Sequence, residues 1–206
     1  MRGGRWGERI FVFLICVFIS VPALAKVNKK EIRAKISGIS VPFIKNEGQV
    51  NKKVCFYAHT FGGTVFVTQK GKLVYLLPKI KKATNKKQEI KGWVITERLL
   101  GAKVKEVKGI KRAVTKVNYF IGRDKNRWKK DISSYDEISL GEIYKGIELR
   151  LRAYGNNVEK IFKIEPRGRV EDILLTIRGG RGLKVTRDGR LEVRTLLGNI
   201  RVLQSH

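Results

Sequence analysis

Cys55 and His59 are the first residues of this 206-residue sequence whose types could do chemistry together. A thiolate and an imidazole can ligate zinc or form the two halves of a thiol nucleophile. They stand four apart in VCFYAHT, a strand-like run, and in a strand that spacing puts both on one face. Two ligands make a poor metal site, and the other histidine, His206, is the last residue. Cys55 reads as a packed thiol in an apolar strand. Glycoside hydrolysis would need two carboxylates across a cleft, and Asp136, Glu137, Glu142, Glu148 and Glu159 qualify by type. Several alternate with Arg or Lys, as residues of a solvated strand face do, so surface ion pairs are the simpler expectation. There is no G-x-S-x-G and no P-loop, and Gly179-Gly180-Arg181-Gly182 opens no helix that could cradle a phosphate. The sequence therefore predicts no catalytic residue, no metal and no cofactor.

What remains is charge and aromatic side chains. Lys and Arg total 45 against 18 Asp and Glu, a formal net charge of +27. Such a charge attracts any polyanion, whether nucleic acid, lipopolysaccharide or acidic polysaccharide; a Lys-rich surface without a ligand is the plainer reading. Two stretches concentrate it. Residues 79–92, KIKKATNKKQEIKG, carry Lys79, Lys81, Lys82, Lys86, Lys87 and Lys91 with little apolar periodicity and read as an exposed loop. Residues 119–130 interleave Tyr119, Phe120 and Trp128 with Arg123, Lys125, Arg127, Lys129 and Lys130. Aromatics among basic residues can stack on bases or sugars, although anchoring the loop is the simpler duty for Trp128. In a strand Tyr119 and Phe120 point to opposite faces, so one at most is exposed. The candidate polyanion contacts are the six lysines of the first stretch with Arg123, Arg127, Trp128, Lys129 and Lys130.

The elements that must carry these residues begin after a targeting segment. Arg2, Arg5 and Arg9 precede the apolar run IFVFLICVFISV, then Pro22 and an Ala23-Leu24-Ala25 cleavage pattern. This is the three-part secretory signal, too short and too abruptly ended for a comfortable membrane span. Residues 1–25 read as a signal-peptide helix, and the exported part is expected in the periplasm, on the cell surface or outside, with no membrane span left after cleavage. Cleavage removes three Arg and one Glu, so most of the basicity stays, and Cys55 becomes the single cysteine, unable to form an internal disulfide. Residues 26–41 form a basic lead-in with room for a helical turn or two.

From residue 42 to residue 206 the pattern has a period of two. Ile147, Leu149 and Leu151 alternate with Glu148, Arg150 and Arg152; Gly155-Asn156-Asn157 turns the chain; and 158–164 returns before Pro166, a hairpin. Gly62-Gly63, the strand 64–68, the turn Lys70-Gly71 and the strand 73–77 make another, closed by Pro78. Further strands are expected at 54–58, 93–99, 104–107, within 111–122 and at 170–177, with mixed strand and loop over 131–146. Leu183 to Leu196 repeats the 67–73 spacing, which two ordinary hairpins sharing turn chemistry explain without a duplication. No amphipathic pattern of period 3.6 follows the signal. The expected fold is all-β: one antiparallel β-sandwich domain built of hairpins.

Several of these segments together resemble a known family. PFIKNEGQ, VCFYA, GGTVFVT, VNYFIGRDKNRW, YDEI, IYKGIEL, YGNNVEKIFKIEPRG and DGRLEVRTLLGNI look like the N-terminal domain of bacterial SBBP-repeat (β-propeller) cell-surface proteins, from about Pro42 to Ile200. The resemblance implies an exported, β-rich module of unknown function placed ahead of propeller repeats, and it brings no catalytic residue. This sequence departs from the pattern at Lys145, where Pro is usual, at Lys160, where an acidic or aromatic residue is usual, and in its basicity. It stops about where repeats would begin, as a stand-alone version or a shortened product would. The leading expectation is an exported non-catalytic envelope or surface module for assembly, adhesion or protein contact. The alternative is a binder of acidic polymers, and an envelope hydrolase ranks last.

Overall fold

In the computed structural model the described residues are 38–80, 90–155, 157–187, 191–195 and 198–202. The chain is almost wholly strand. The first half supplies β1 (Phe43–Lys45), β2 (Val54–Thr60), β3 (Gly63–Thr68), β4 (Leu73–Ile80), β5 (Ile90–Leu100) and β6 (Lys108–Tyr119). The second half supplies β7 (Lys129–Tyr144), β8 (Ile147–Tyr154), β9 (Asn157–Ile164), β10 (Leu174–Arg178), β11 (Gly182–Val185), β12 (Leu191–Thr195) and β13 (Gly198–Val202). Among the described residues the only helices are short 3-10 turns at Lys125–Arg127 and Val170–Asp172, and none is long and apolar enough to cross a membrane.

Strands β1–β10 form one antiparallel sheet in the order β10-β5-β4-β3-β2-β1-β7-β8-β9, with β6 also on β7. β11, β12 and β13 form a separate antiparallel sheet. The all-β expectation holds, with one difference in its form: the layers arise from a single large sheet curling on itself rather than from two facing sheets. β7 is the pivot. It pairs with β1 through Tyr135 and Ser134, with β8 from Ile138 to Tyr144, and with β6 from Lys129 to Ser139. Gly141 adopts φ 72° inside β7, a conformation that costs glycine little, and the ladder to β8 shifts register there. The curl brings β2 against β8, although β1 and β7 lie between them in the sheet.

The period-two pattern decides what the curl encloses. Phe43, Phe56, Val65, Val67, Leu73, Ile138, Leu140, Leu149 and Leu151 are all buried in one cluster inside it. At about 25 cal/mol per Å² of apolar surface, burying each such side chain contributes about 1.5–3 kcal/mol, which is how a fold whose Cys55 is unpaired holds together. A smaller cluster of Ile44, Tyr57 and Ile132, flanked by Phe66, Val117 and Tyr119, forms on the other face, where β6 and the β1–β2 connection cover the sheet.

Five local expectations are corrected, the first being the strand expected at 104–107, where the chain is irregular until β6 begins at Lys108. Residues 79–92 are not all loop: β4 runs to Ile80, β5 starts at Ile90, and Lys79 pairs with Lys91 in their ladder. Of residues 131–146, expected as mixed strand and loop, 131–144 all belong to one 16-residue strand, because β1, β6 and β8 together satisfy its backbone. The strand expected at 170–177 begins only at Leu174, after the 3-10 turn. Cys55 and His59 do not share a face: the β2–β3 register shifts between Val54 and Phe56, so Cys55 packs on the inner cluster while His59 lies against the Tyr57 ring. The two hairpins of similar spacing do share an offset, Val67 pairing with Leu73 and Val185 with Leu191, although they lie in different sheets. The signal segment and most of the lead-in lie outside the described residues; Val41 already donates to the Ala153 carbonyl.

Candidate functional site

The residues with binding chemistry come together at the tip of the β6–β7 hairpin. β6 delivers Tyr119 and Phe120 on opposite faces. Tyr119 packs beside Ile44, Tyr57 and Ile132, while Phe120 is left 53% exposed and Ile121 65% exposed. Gly122 turns the chain at φ 77°. Asp124 then caps a 3-10 turn, its carboxylate accepting from the Asn126 N–H at 3.0 Å. The turn brings Trp128 back, where its indole N–H donates to the Gly122 carbonyl at 3.2 Å. Trp128 and Phe120 meet edge to face with centroids 5.2 Å apart. Lys125 Nζ stands 5.9 Å from the Trp128 ring centre and Lys130 Nζ 5.9 Å from that of Phe120, each a cation–π contact. The base of the tip is pinned by the Asp131 N–H, which donates to Asn118 Oδ1 at 2.8 Å, and by the Lys116–Asp131 ion pair at 3.4 Å.

Arg123, Lys129 and Lys130 are exposed around this aromatic pair, and Trp128 is half-buried; the Arg127 side chain lies outside the described positions. Of the first basic stretch, Lys81, Lys82, Lys86 and Lys87 lie outside the described residues, and Lys79 and Lys91 are placed by their backbones alone. Strand direction separates the two stretches. β7 starts at the end of the sheet where β1 and β3 finish and β2 and β4 begin, and the β4–β5 connection leaves from the far end of β4. Lys79 and Lys91 thus stand at the end of the sheet opposite the β6–β7 tip.

Three of the five candidate carboxylates, Glu137, Glu148 and Glu142, pair with arginine. Glu137, buried on β7, pairs with Arg150 at 3.3 Å and accepts from Arg152 Nε at 2.6 Å. Glu148 pairs with Arg150 at 2.8 Å and accepts from the Ser139 hydroxyl at 2.8 Å. Burial pushes the Glu137 carboxyl up, but the hydrogen bonds and charges of Arg152 and Arg150 outweigh it and hold the group below its ordinary range. The hydrogen bond from Arg150 does the same for Glu148 against burial. Carboxylates held ionised in this way donate no proton near neutral pH. Glu142 accepts from the Gly146 N–H at 2.7 Å. No three His, Cys, Asp or Glu side chains come together to hold a metal among the described residues. Burial, then the Glu106 charge, pushes the Cys55 thiol up, which disfavours the reactive thiolate.

Sequence reasoning missed a polar trio inside the curl. Lys160 on β9 pairs with Glu97 on β5 at 2.9 Å, and the Tyr75 hydroxyl of β4 donates to Glu97 at 3.0 Å. Burial and the Glu97 charge push the Tyr75 phenol well up. A signal was there: Lys160 shares the parity of Val158 and Phe162, the inward positions of β9. It also missed a cleft of about 650 Å³ between residues 103–110 and 139–145, which opens where the chain before β6 parts from β7 beside the Gly141 bulge.

Neither a curated protein nor a solved structure matches the chain. One family does, over residues 43–205, a span that takes in every described strand and the hairpin tip. By that match the chain belongs to the family described as a domain of unknown function, DUF7948.

Proposed function

We propose that the protein is an exported, non-catalytic envelope or surface module that adheres to acidic polymers through the β6–β7 tip. The observation that carries this reading is the Phe120–Trp128 pair, held outward at a hairpin end with a lysine over each ring. A flat apolar platform ringed by cations suits a sugar ring or base that carries, or neighbours, a negative charge. The secretory signal pattern of residues 1–25 and the resemblance to the leading domain of SBBP-repeat surface proteins support an extracytoplasmic setting. The protein is expected to stay on immobilised heparin to high salt and to pass through a neutral glycan matrix. Trp128→Ala and the pair Lys125→Gln/Lys130→Gln are expected to elute clearly earlier, and neutralising Lys81, Lys82, Lys86 and Lys87 is expected to matter less. Elution at low salt, or retention indifferent to the tip variants, overturns the proposal.

A second reading, contact with another protein or a following module, has its own observation. Leu183 and Val185 of β11 pair opposite Val193 and Leu191 of β12, so the four share one face of the small sheet, yet Leu183 is 54% and Val185 67% exposed. Leu183→Lys/Val185→Lys is the variant that would abolish such a contact without touching the tip.

A further inference from the structure

Unbalanced positive charge gathers along the β6–β7 hairpin. Residues 103–130 carry eleven Lys or Arg against two acidic residues, Glu106 and Asp124. On β7, β8 and β9, by contrast, the charges are matched: Glu137, Glu148, Arg150 and Arg152 form one network, and Glu159 stands opposite Arg152 in the ladder. Among the described residues β6 lies beside β7 alone and pairs with no strand on its other edge, and its exposed residues include Lys108, Lys111, Arg112 and Lys116. The acids that face it are few. Glu106 pairs with Lys108 at 3.0 Å and Asp131 with Lys116 at 3.4 Å, while Glu137, opposite Lys111 in the ladder, is already engaged by Arg150 and Arg152. At one end of β6 stands the aromatic tip. At the other end lies the cleft, its rim bearing Lys103, Lys105 and Lys145, none of which has an ion-pair partner among the described residues, and its floor made by Leu140, Ile143 and Tyr144.

We infer that the tip is one end of a linear site, and that a linear acidic polysaccharide lies along the outer edge of β6 from the tip to the cleft. The inference rests on the proposed affinity for acidic polymers and adds its length, course and chemical class. The twelve residues of β6, at about 3.3 Å each, give a track of roughly 40 Å, shortened somewhat by its bulges. A short oligomer reaches the tip alone, whereas a long one also displaces counterions from Lys111, Arg112 and the cleft lysines. Chemical class follows from what lies between the ends. From Ile110 to Asn118 the strand has no aromatic residue, so it offers no platform for successive bases, whereas a polymer with a charged group on most sugars needs only cations along its path.

The test is titration calorimetry with size-defined heparin fragments as the probe. The dodecasaccharide is expected to bind at least tenfold more tightly than the tetrasaccharide and to show the steeper fall of affinity with salt. Lys111→Gln/Arg112→Gln and Lys103→Gln/Lys105→Gln are each expected to weaken the dodecasaccharide three- to tenfold and leave the tetrasaccharide unchanged, with thermal unfolding as the check on folding. Trp128→Ala is expected to weaken both. Equal affinity for the two lengths, or edge variants that bind the dodecasaccharide as the parent does, overturns the linear site and leaves the tip reading standing. Binding of neither fragment overturns both. Single-stranded DNA of matched charge binding as tightly as the dodecasaccharide overturns the polysaccharide class.

Discussion

Lys160 of β9 and Glu97 of β5 form a 2.9 Å ion pair across the inside of the curled sheet, between strands that are not neighbours in it. Both side chains are nearly buried, 13% and 6% exposed, and Tyr75 supplies a further hydrogen bond to Glu97. A curl has no ladder to close it, so this pair ties one flank of the sheet to the other. Lys160 is the residue whose charge Glu97 answers.

Removing one partner of this pair leaves a buried charge. Lys160→Met and Glu97→Gln are each expected to destabilise the fold by about 3 kcal/mol, whereas the double substitution Glu97→Leu/Lys160→Met is expected to cost far less than their sum. Equilibrium urea unfolding of the three variants checks this. Additive losses would mean that the pair does not act as a unit.

Stability should fall in acid, with Glu137 as a main cause. Its folded pKa lies below the ordinary value, so the folded state binds the proton less readily than the unfolded chain. The stabilisation is in place at neutral pH, begins to go as pH falls through the unfolded carboxylate value of about 4.3, and is lost fully only below the depressed folded value. Glu137→Gln is expected to lower stability at pH 7 by about 2 kcal/mol and to flatten the acid limb of a plot of Tm against pH. A parallel limb in the variant would assign the acid loss elsewhere, Glu148 first.

Trp128 has two jobs that one substitution separates. Trp128→Phe keeps an aromatic face but removes the N–H that donates to Gly122. Heparin affinity is expected to fall less than threefold in Trp128→Phe and roughly tenfold in Trp128→Ala, since a stacked ring contributes about 1–3 kcal/mol. Equal losses in both would make Trp128 an anchor of the turn rather than a contact.

Gly63 opens β3 at φ 143°, and a Cβ there would collide with the Leu76 carbonyl oxygen on β4. Gly63→Ala is expected to cost about 2–3 kcal/mol, because strain and backbone displacement add. Gly62→Ala, without the positive φ, is the control, and thermal unfolding of the two reads the difference.

Strands with clean alternation and marked turns can be read from the sequence. β8 and β9 around Gly155, and β3 and β4 around Lys70-Gly71, were legible because turn chemistry and period-two burial act within a dozen residues. Family membership, too, lies in the sequence. Strand order was beyond it, because pairing energy depends on partners distant in the chain: β1 between β2 and β7, and β10 on β5, follow from no local signal. The same reason hid the length of β7, whose interrupted apolar pattern reads as mixed strand and loop until three partner strands satisfy it. At the candidate site the sequence named Arg123, Trp128, Lys129 and Lys130 by type. Only the tertiary structure decided that the lysines flanking the β4–β5 connection stand at the other end of the sheet, that Phe120 faces outward with Trp128, and that Lys160 turns inward to Glu97. Composition counts charges, and the three-dimensional path of the strands decides which of them meet a partner and which are left exposed along one edge.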